Sequence, residues 1–169
     1  MNFKNKSIEE LVELISPNSA VHQELRKRGV LRTKNTTGEL GEYYVKNYYD
    51  KTPSLPNLLL PPPGVKNIDV LSREGERYSI KTVTNPRGTT GSFWNPESIR
   101  KNEKIFEYLL IVILSNSYSL DLILKLSWEQ FFKYKSYNKR MNNFNISISK
   151  KLTESVEVIY DKNKNNFLK

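Results

Sequence analysis

The chain predicts an α/β layered domain, on three observations. Capped amphipathic segments occupy the N-terminal part; residues 106–114 form a near-continuous apolar run of strand length; and the order along the chain is helices, a mixed sheet, a helix, then strands. At 169 residues it fits a single domain, large enough for a hydrophobic core without disulfide or metal staples. Its parts are an N-terminal helical segment (1–35), a core (36–135) and basic C-terminal strands with a tail (136–169).

Ser7 and Glu10 make a capping-box pattern, followed by Ile8, Leu11, Val12 and Ile15 at helical spacing until Pro17 interrupts. A second helix over residues 19–28 carries Val21 and Leu25 and stops at Gly29. Thr36 and Glu39 read as a capping box opening a third helix to about Tyr49, with Leu40, Tyr44, Val45 and Tyr48 toward the core. Glu39 and Glu42 sit on this helix about 60° apart around the axis, so one can face a site that the other borders. Residues 52–64 are a proline-rich connection, extended at Pro61, Pro62 and Pro63, that delivers the chain to a strand without forming structure.

Residues 67–71 and 77–81 are rich in β-branched and aromatic side chains, and the polar stretch between them centres on Gly75, as in a hairpin. With Glu74, Gly75 and Glu76 as a three-residue loop, Arg73 pairs with Arg77, and Asp69 faces Lys81 with Cβ atoms about 5 Å apart. Asp69, Ser79 and Lys81 then share one face, and Ile68, Val70, Tyr78 and Ile80 the other. An acid and a lysine side by side at a sheet edge can hold a divalent cation and an attacking water. The same pair as an exposed salt bridge is worth only about 0–1 kcal/mol.

Residues 84–96 read as a long loop beside this hairpin, where Arg87, Thr89, Thr90 and Ser92 are candidates to bind phosphate. The apolar run 106–114 is expected at the sheet centre, with 118–126 as its neighbour through Ser115, Asn116 and Ser117. Ser127 and Gln130 cap a short helix over 127–135, whose Trp128, Phe131 and Phe132 pack rather than stack on bases. Two late strands follow at 144–149 and 155–160.

Composition narrows the chemistry. There is no cysteine and a single histidine, His22, so neither a disulfide framework nor a Cys/His zinc site can form, and any metal is hard and oxygen-bound. The longest apolar run falls far short of the ~20 residues that span a bilayer, and the N-terminus lacks a signal-peptide apolar region, so a cytoplasmic protein with no membrane partner is expected. The net charge of +9 favours a polyanionic partner. Lys133 to Lys169 supplies +6 of it, with nine basic residues against three acidic. A second cluster, Arg26, Lys27, Arg28, Arg32 and Lys34, contains no acid; both clusters can track phosphates through counterion release.

The combined pattern resembles the PD-(D/E)XK (restriction endonuclease-like) nuclease superfamily. The likeness is carried by Gly38-Glu39-Leu40-Gly41-Glu42 opening the third helix, Ile68-Asp69 on one strand and Ser79-Ile80-Lys81 on the next, and covers residues 24–126. It is similar in layout and size to small type II restriction endonucleases. The resemblance implies a restriction-endonuclease-like mixed central sheet flanked by helices, with 36–135 as catalytic core. It puts Asp69 in the place of the metal-binding aspartate, Lys81 in that of the lysine that orients or activates water, Glu42 in that of the helix glutamate completing the metal site, and the Ile80 carbonyl as a further ligand.

Such a site suits Mg²⁺, with Mn²⁺ as a substitute, because Mg²⁺ takes few protein carboxylates and keeps several waters. The implied activity is hydrolysis of DNA phosphodiester bonds to a 5′-phosphate and 3′-hydroxyl, in a restriction or other defence role. A homodimer suits cutting both strands of a symmetric site. Where the superfamily usually has Asp or Glu two residues before the lysine, this chain has Ser79, a weaker ligand, which raises the weight on Glu42; Glu39 and Glu74 are lesser candidates. The rival expectation is a non-catalytic nucleic-acid-binding protein with the same fold, and a third is a small protein-interaction module.

Overall fold

The computed structural model describes residues 3–16, 18–61, 68–84, 86–93 and 95–164. Pro17, Pro62, Pro63, Asn67 and the last five residues, which carried sequence expectations, lie outside the described residues. Three helices open the fold: α1 (Ile8–Ile15), α2 (Ala20–Lys27) and α3 (Thr36–Lys51). The Ser7–Glu10 capping box of α1 forms in both directions, and α2 starts at Ser19 and gives way to Gly29 in the left-handed region at φ +70°. Helix α3 is capped by Asn35, whose side chain accepts from the Gly38 N–H, rather than by Thr36. Glu39 is thereby released from the expected capping box and is buried instead.

The strands β1 (Leu58–Leu59), β2 (Val70–Ser72), β3 (Arg77–Val83), β4 (Tyr108–Leu114), β5 (Leu120–Ser127) and β8 (Glu157–Asp161) form one sheet in the order β1-β2-β3-β4-β5-β8. Strands β3 and β4 run parallel, and every other neighbouring pair is antiparallel. The parallel step needs a crossover, and the short helix α4 (Pro96–Arg100) lies within it. A separate ribbon pairs β6 (Lys135–Asn138) with β7 (Asn143–Ile146); α5 (Trp128–Tyr134) precedes it and α6 (Lys150–Ser155) follows it.

Strand β4 is central, as its unbroken apolar run requires. Leu110, Val112 and Leu114 enter one core with Val45 and Tyr49 of α3 and Tyr78 and Ile80 of β3. Leu109, Ile111 and Ile113 enter a second core with Phe93, Phe106, Trp128, Phe131, Phe144 and Leu152. Period-two alternation thus divides a wholly apolar strand between two layers of side chains. The Ser127–Gln130 capping box of α5 forms, and Trp128 and Phe131 are buried. Trp128 packs edge-on to Phe106 at 5.1 Å, while its indole N–H donates to Asn102 Oδ1 at 2.8 Å.

Helix α3 lies against β3 at one close point. A Cβ on Gly41 would overlap the Thr82 side chain, so the helix backbone comes nearer to the sheet than any larger residue allows. The proline-rich connection is not wholly without structure, because Leu58 and Leu59 pair with Ser72 and Leu71 as an edge strand and Leu58 is buried. The short helices α4 and α6, and the strand β6, which begins where the helix over 127–135 is expected to end, are likewise absent from the sequence pattern. No helix among the described residues is long and apolar enough to cross a membrane.

Candidate site at the opened edge of the sheet

The β2–β3 hairpin has a three-residue loop, set one residue earlier than Gly75 at its centre would place it. Gly75 has φ +86°, the left-handed conformation that closes such loops, so the loop is Arg73, Glu74 and Gly75. The Ser72 N–H donates to the Glu76 carbonyl at 2.9 Å, and the register pairs Leu71 with Arg77 and Val70 with Tyr78. Arg73 therefore does not pair with Arg77, and Asp69 stands beside Ser79 rather than Lys81. The displacement is two residues along β3. Because side chains alternate with period two, Ser79 and Lys81 still share a face, and Asp69 reaches the first of them.

Among the described residues, ladder pairing between β2 and β3 extends no further than Val70, while β3 remains paired to β4 through Val83. The edge of β3 beyond that point is served by a side chain. Asp69 Oδ2 accepts from the Ile80 N–H at 2.6 Å and from the Ser79 hydroxyl at 3.2 Å, and its own N–H donates to the Tyr78 carbonyl at 2.9 Å. Oδ1 has no donor among the described residues. Backbone groups of one residue point to the same side of a strand, so the Ile80 carbonyl is directed to the edge from which its N–H meets Asp69. A carboxylate and a backbone carbonyl thus share one opened edge.

Glu42 approaches from α3. Burial, followed by the negative charge of Asp69, pushes its carboxyl up to about 7; the Arg32 guanidinium opposes the shift and Glu39 adds to it. Arg32 binds both helix carboxylates: its Nε lies 3.2 Å from Glu39 Oε2, its Nη2 pairs with Glu42 Oε2, and its backbone N–H donates to Glu39 Oε2 at 2.7 Å. This contact crosses the turn between α2 and α3, and no local spacing in the sequence announces it. The sequence reading placed Arg32 with Lys34 among phosphate-tracking cations; Lys34 is exposed, whereas Arg32 serves the two glutamates. An open cleft of about 170 Å³ lies here, walled in part by Arg32, Glu39, Glu42, Lys46, Leu60 and Val70. Asp69, Ser79 and Lys81 are not in its walls.

Lys81 forms no ion pair with Asp69 among the described residues. Its Nζ stands 5.1 Å from the centroid of the Phe93 ring, a cation–π distance that fixes the side chain on the Ser79 face. Phe93 belongs to the stretch read as a long loop, and that stretch is a strap bound along β7. Thr90 N–H donates to the Ile146 carbonyl at 2.9 Å, its hydroxyl accepts from the Ile146 N–H at 3.0 Å, and Phe93 N–H donates to the Phe144 carbonyl at 2.8 Å. Ser92 Oγ accepts from Asn143 Nδ2 at 2.6 Å. Thr90 is buried and both hydroxyls are used inside the fold, which leaves Arg87 and Thr89 as the exposed members of the proposed phosphate set.

Among the described residues no three His, Cys, Asp or Glu side chains come together as a metal-binding group. The oxygens available are those of Asp69, the Ile80 carbonyl and Glu42, a hard donor set of the kind that suits Mg²⁺ completed by water. The lone histidine is engaged elsewhere: His22 Nδ1 contacts Ser19 Oγ at 2.9 Å, and Nε2 lies 3.4 Å from Thr36 Oγ1. Glu74 sits exposed in the hairpin loop. Compared with known proteins, the chain matches no family model and no curated protein.

Proposed function

We propose that the protein is a Mg²⁺-dependent endonuclease of the PD-(D/E)XK type, hydrolysing DNA phosphodiester bonds in a restriction or other defence role. The observation that carries the reading is the opened β3 edge, where the Asp69 carboxylate takes the place of a strand partner at Ile80 while Glu42 is electrostatically coupled to it. Asp69, Glu42 and the Ile80 carbonyl would hold Mg²⁺, which when bound would neutralise phosphate charge and acidify water. Ser79 and the Ile80 N–H hold Asp69 Oδ2, which leaves Oδ1 as the oxygen that would meet the metal. Lys81, on the Ser79 face, holds the attacking water or the phosphate by its ammonium donors. As a ligand Glu42 would be unprotonated, so its raised carboxyl would make metal binding weaken as pH falls. Water attacks phosphorus in line and gives up a proton to solvent as the new P–O bond forms, and the departing 3′ oxygen takes a proton from solvent as its P–O bond breaks, giving the 5′-phosphate and the 3′-hydroxyl.

A second reading, a non-catalytic DNA-binding protein of the same fold, is favoured by one feature: the residue in the acidic position is Ser79, and its hydroxyl is spent on Asp69. Cleavage of mixed-sequence DNA with Mg²⁺ or Mn²⁺ separates the two. The nuclease reading expects metal-dependent cutting that falls by a factor of about 10² or more in both Asp69→Asn and Lys81→Ala. DNA binding without cutting at any metal concentration would sink it.

A further inference from the structure

Strands β6 and β7 form a ribbon outside the main sheet, with two unlike faces. The pairs Lys135 with Ile146 and Tyr137 with Phe144 share one face, and Ile146 and Phe144 seat it in the core. Ser136 and Asn145 are opposed on the other face. Their side chains make no hydrogen bond among the described residues, although they carry groups able both to donate and to accept. At the tip, Lys139 and Arg140 are exposed and have no ion pair among the described residues.

The tip is also held rigid. Arg100 lies 4.8 Å over the Tyr137 ring and donates to Asn142 Oδ1 at 3.1 Å, and the Tyr137 hydroxyl donates to the same oxygen at 2.9 Å. Met141 N–H donates to Asn138 Oδ1 at 3.2 Å. Cations presented on a pinned turn lose less freedom on binding than those on a mobile tail. The ribbon is tied to the candidate site as well. Phe93, under Lys81, bonds to Phe144 of β7, whose ring lies 5.2 Å from Tyr137.

A β-ribbon fits the major groove of B-DNA, where Asn and Ser read base edges and cations meet the flanking phosphates; the strap bridges the other edge of β7, so among the described residues the open edge of this ribbon is that of β6. We infer that the β6–β7 ribbon is the DNA-reading element, with Ser136 and Asn145 facing base edges and Lys139 and Arg140 on phosphates. The inference rests on the DNA-directed reading above and deepens it: on this face Asn138 and Asn143 are already hydrogen-bonded within the fold, which leaves Ser136 and Asn145 as its unpartnered polar pair among the described residues.

Binding of the full chain to a mixed-sequence DNA duplex, followed by fluorescence anisotropy in EDTA across a salt series, tests it apart from cutting. The double variant Lys139→Gln with Arg140→Gln is expected to weaken binding alike on all sequences and to lower the slope of log K against log salt by about 2. Ser136→Ala with Asn145→Ala is expected to leave that slope unchanged and to reduce sequence preference, read by selection from a randomised duplex pool, by about tenfold or more. The control, Lys6→Gln with Lys51→Gln, outside both basic clusters, is expected to change neither. Failure of the parent to bind duplex DNA, an unaltered slope in the tip variant, an unaltered preference in the face variant, or an equal loss in the control would each overturn the inference. Absence of cutting with these binding effects intact would instead count against the nuclease reading alone.

Discussion

Strands β4 and β5 are paired from Tyr108 to Leu114 with a single bulge between Ile113 and Leu114, whereas among the described residues β2 and β3 are paired only from Val70 toward the turn. In the first pair the backbone satisfies itself, and the side chains of β4 are free to be apolar on both faces. In the second, the strand partner ends and a carboxylate takes over an N–H that the sheet leaves unpaired. Polar chemistry enters this fold where backbone pairing stops, and the cost of holding Asp69 at the edge is offset by the hydrogen bonds that the edge needs.

This contrast is open to direct challenge. The largest effect belongs to the centre: Ile111→Ala, at a fully buried position of β4, is expected to lower stability by about 2–5 kcal/mol in urea denaturation. Next comes Asp69→Ala, which strands the Ile80 N–H and the Ser79 hydroxyl and is expected to cost about 1–3 kcal/mol, with faster amide exchange at Ile80. Asp69→Asn retains an acceptor oxygen and should lose markedly less. If Asp69→Ala costs more than Ile111→Ala, the sheet edge rather than its centre carries the fold.

The smallest effect is electrostatic and sharpens the picture of the edge. With a folded pKa of about 7 against an ordinary 4.5, Glu42 keeps its proton on folding between these values while the unfolded chain has lost it. Its contribution to stability therefore falls as pH rises from 4.5 to 7, and the cost is fully present above 7. Urea midpoints of Glu42→Gln and the parent, compared at pH 5 and pH 8, should diverge in favour of the variant at the higher pH. Parallel behaviour would mean that Arg32 neutralises Glu42 completely. Glu107 acts with the opposite sign: hydrogen bonding to Arg77 pulls its carboxyl down to about 2, so its contribution is lost as pH falls below the ordinary carboxylate range.

Much of the centre was legible because its signals are local and redundant. The apolar run of β4, the Ser127–Gln130 box of α5 and the stop at Gly29 each depend on a few adjacent residues. The edge was legible only in part. The identity of its face survived a two-residue error in register, because alternation repeats every two residues, but the partner of Asp69 did not. That error came from centring Gly75 in the loop, where its positive φ belongs at the loop's end. The bond of Arg32 to Glu39 and Glu42 and the strap of Thr90 on β7 are tertiary pairings with no periodic trace. Asn35 as the cap of α3 is hidden in the sequence by Thr36 and Glu39, which offer a competing box whose glutamate has another use.

The position of β8 bears on how the protein is made. It pairs with the outer edge of β5, yet β6, β7 and α6 all lie between the two in the chain. A ribosome therefore releases the apolar β5 well before the strand that covers it, and the nascent protein displays an unpaired edge throughout that interval. The α5 cap and the β6–β7 ribbon are built from neighbouring residues and close short loops, whereas β8 reaches β5 only after both have been passed.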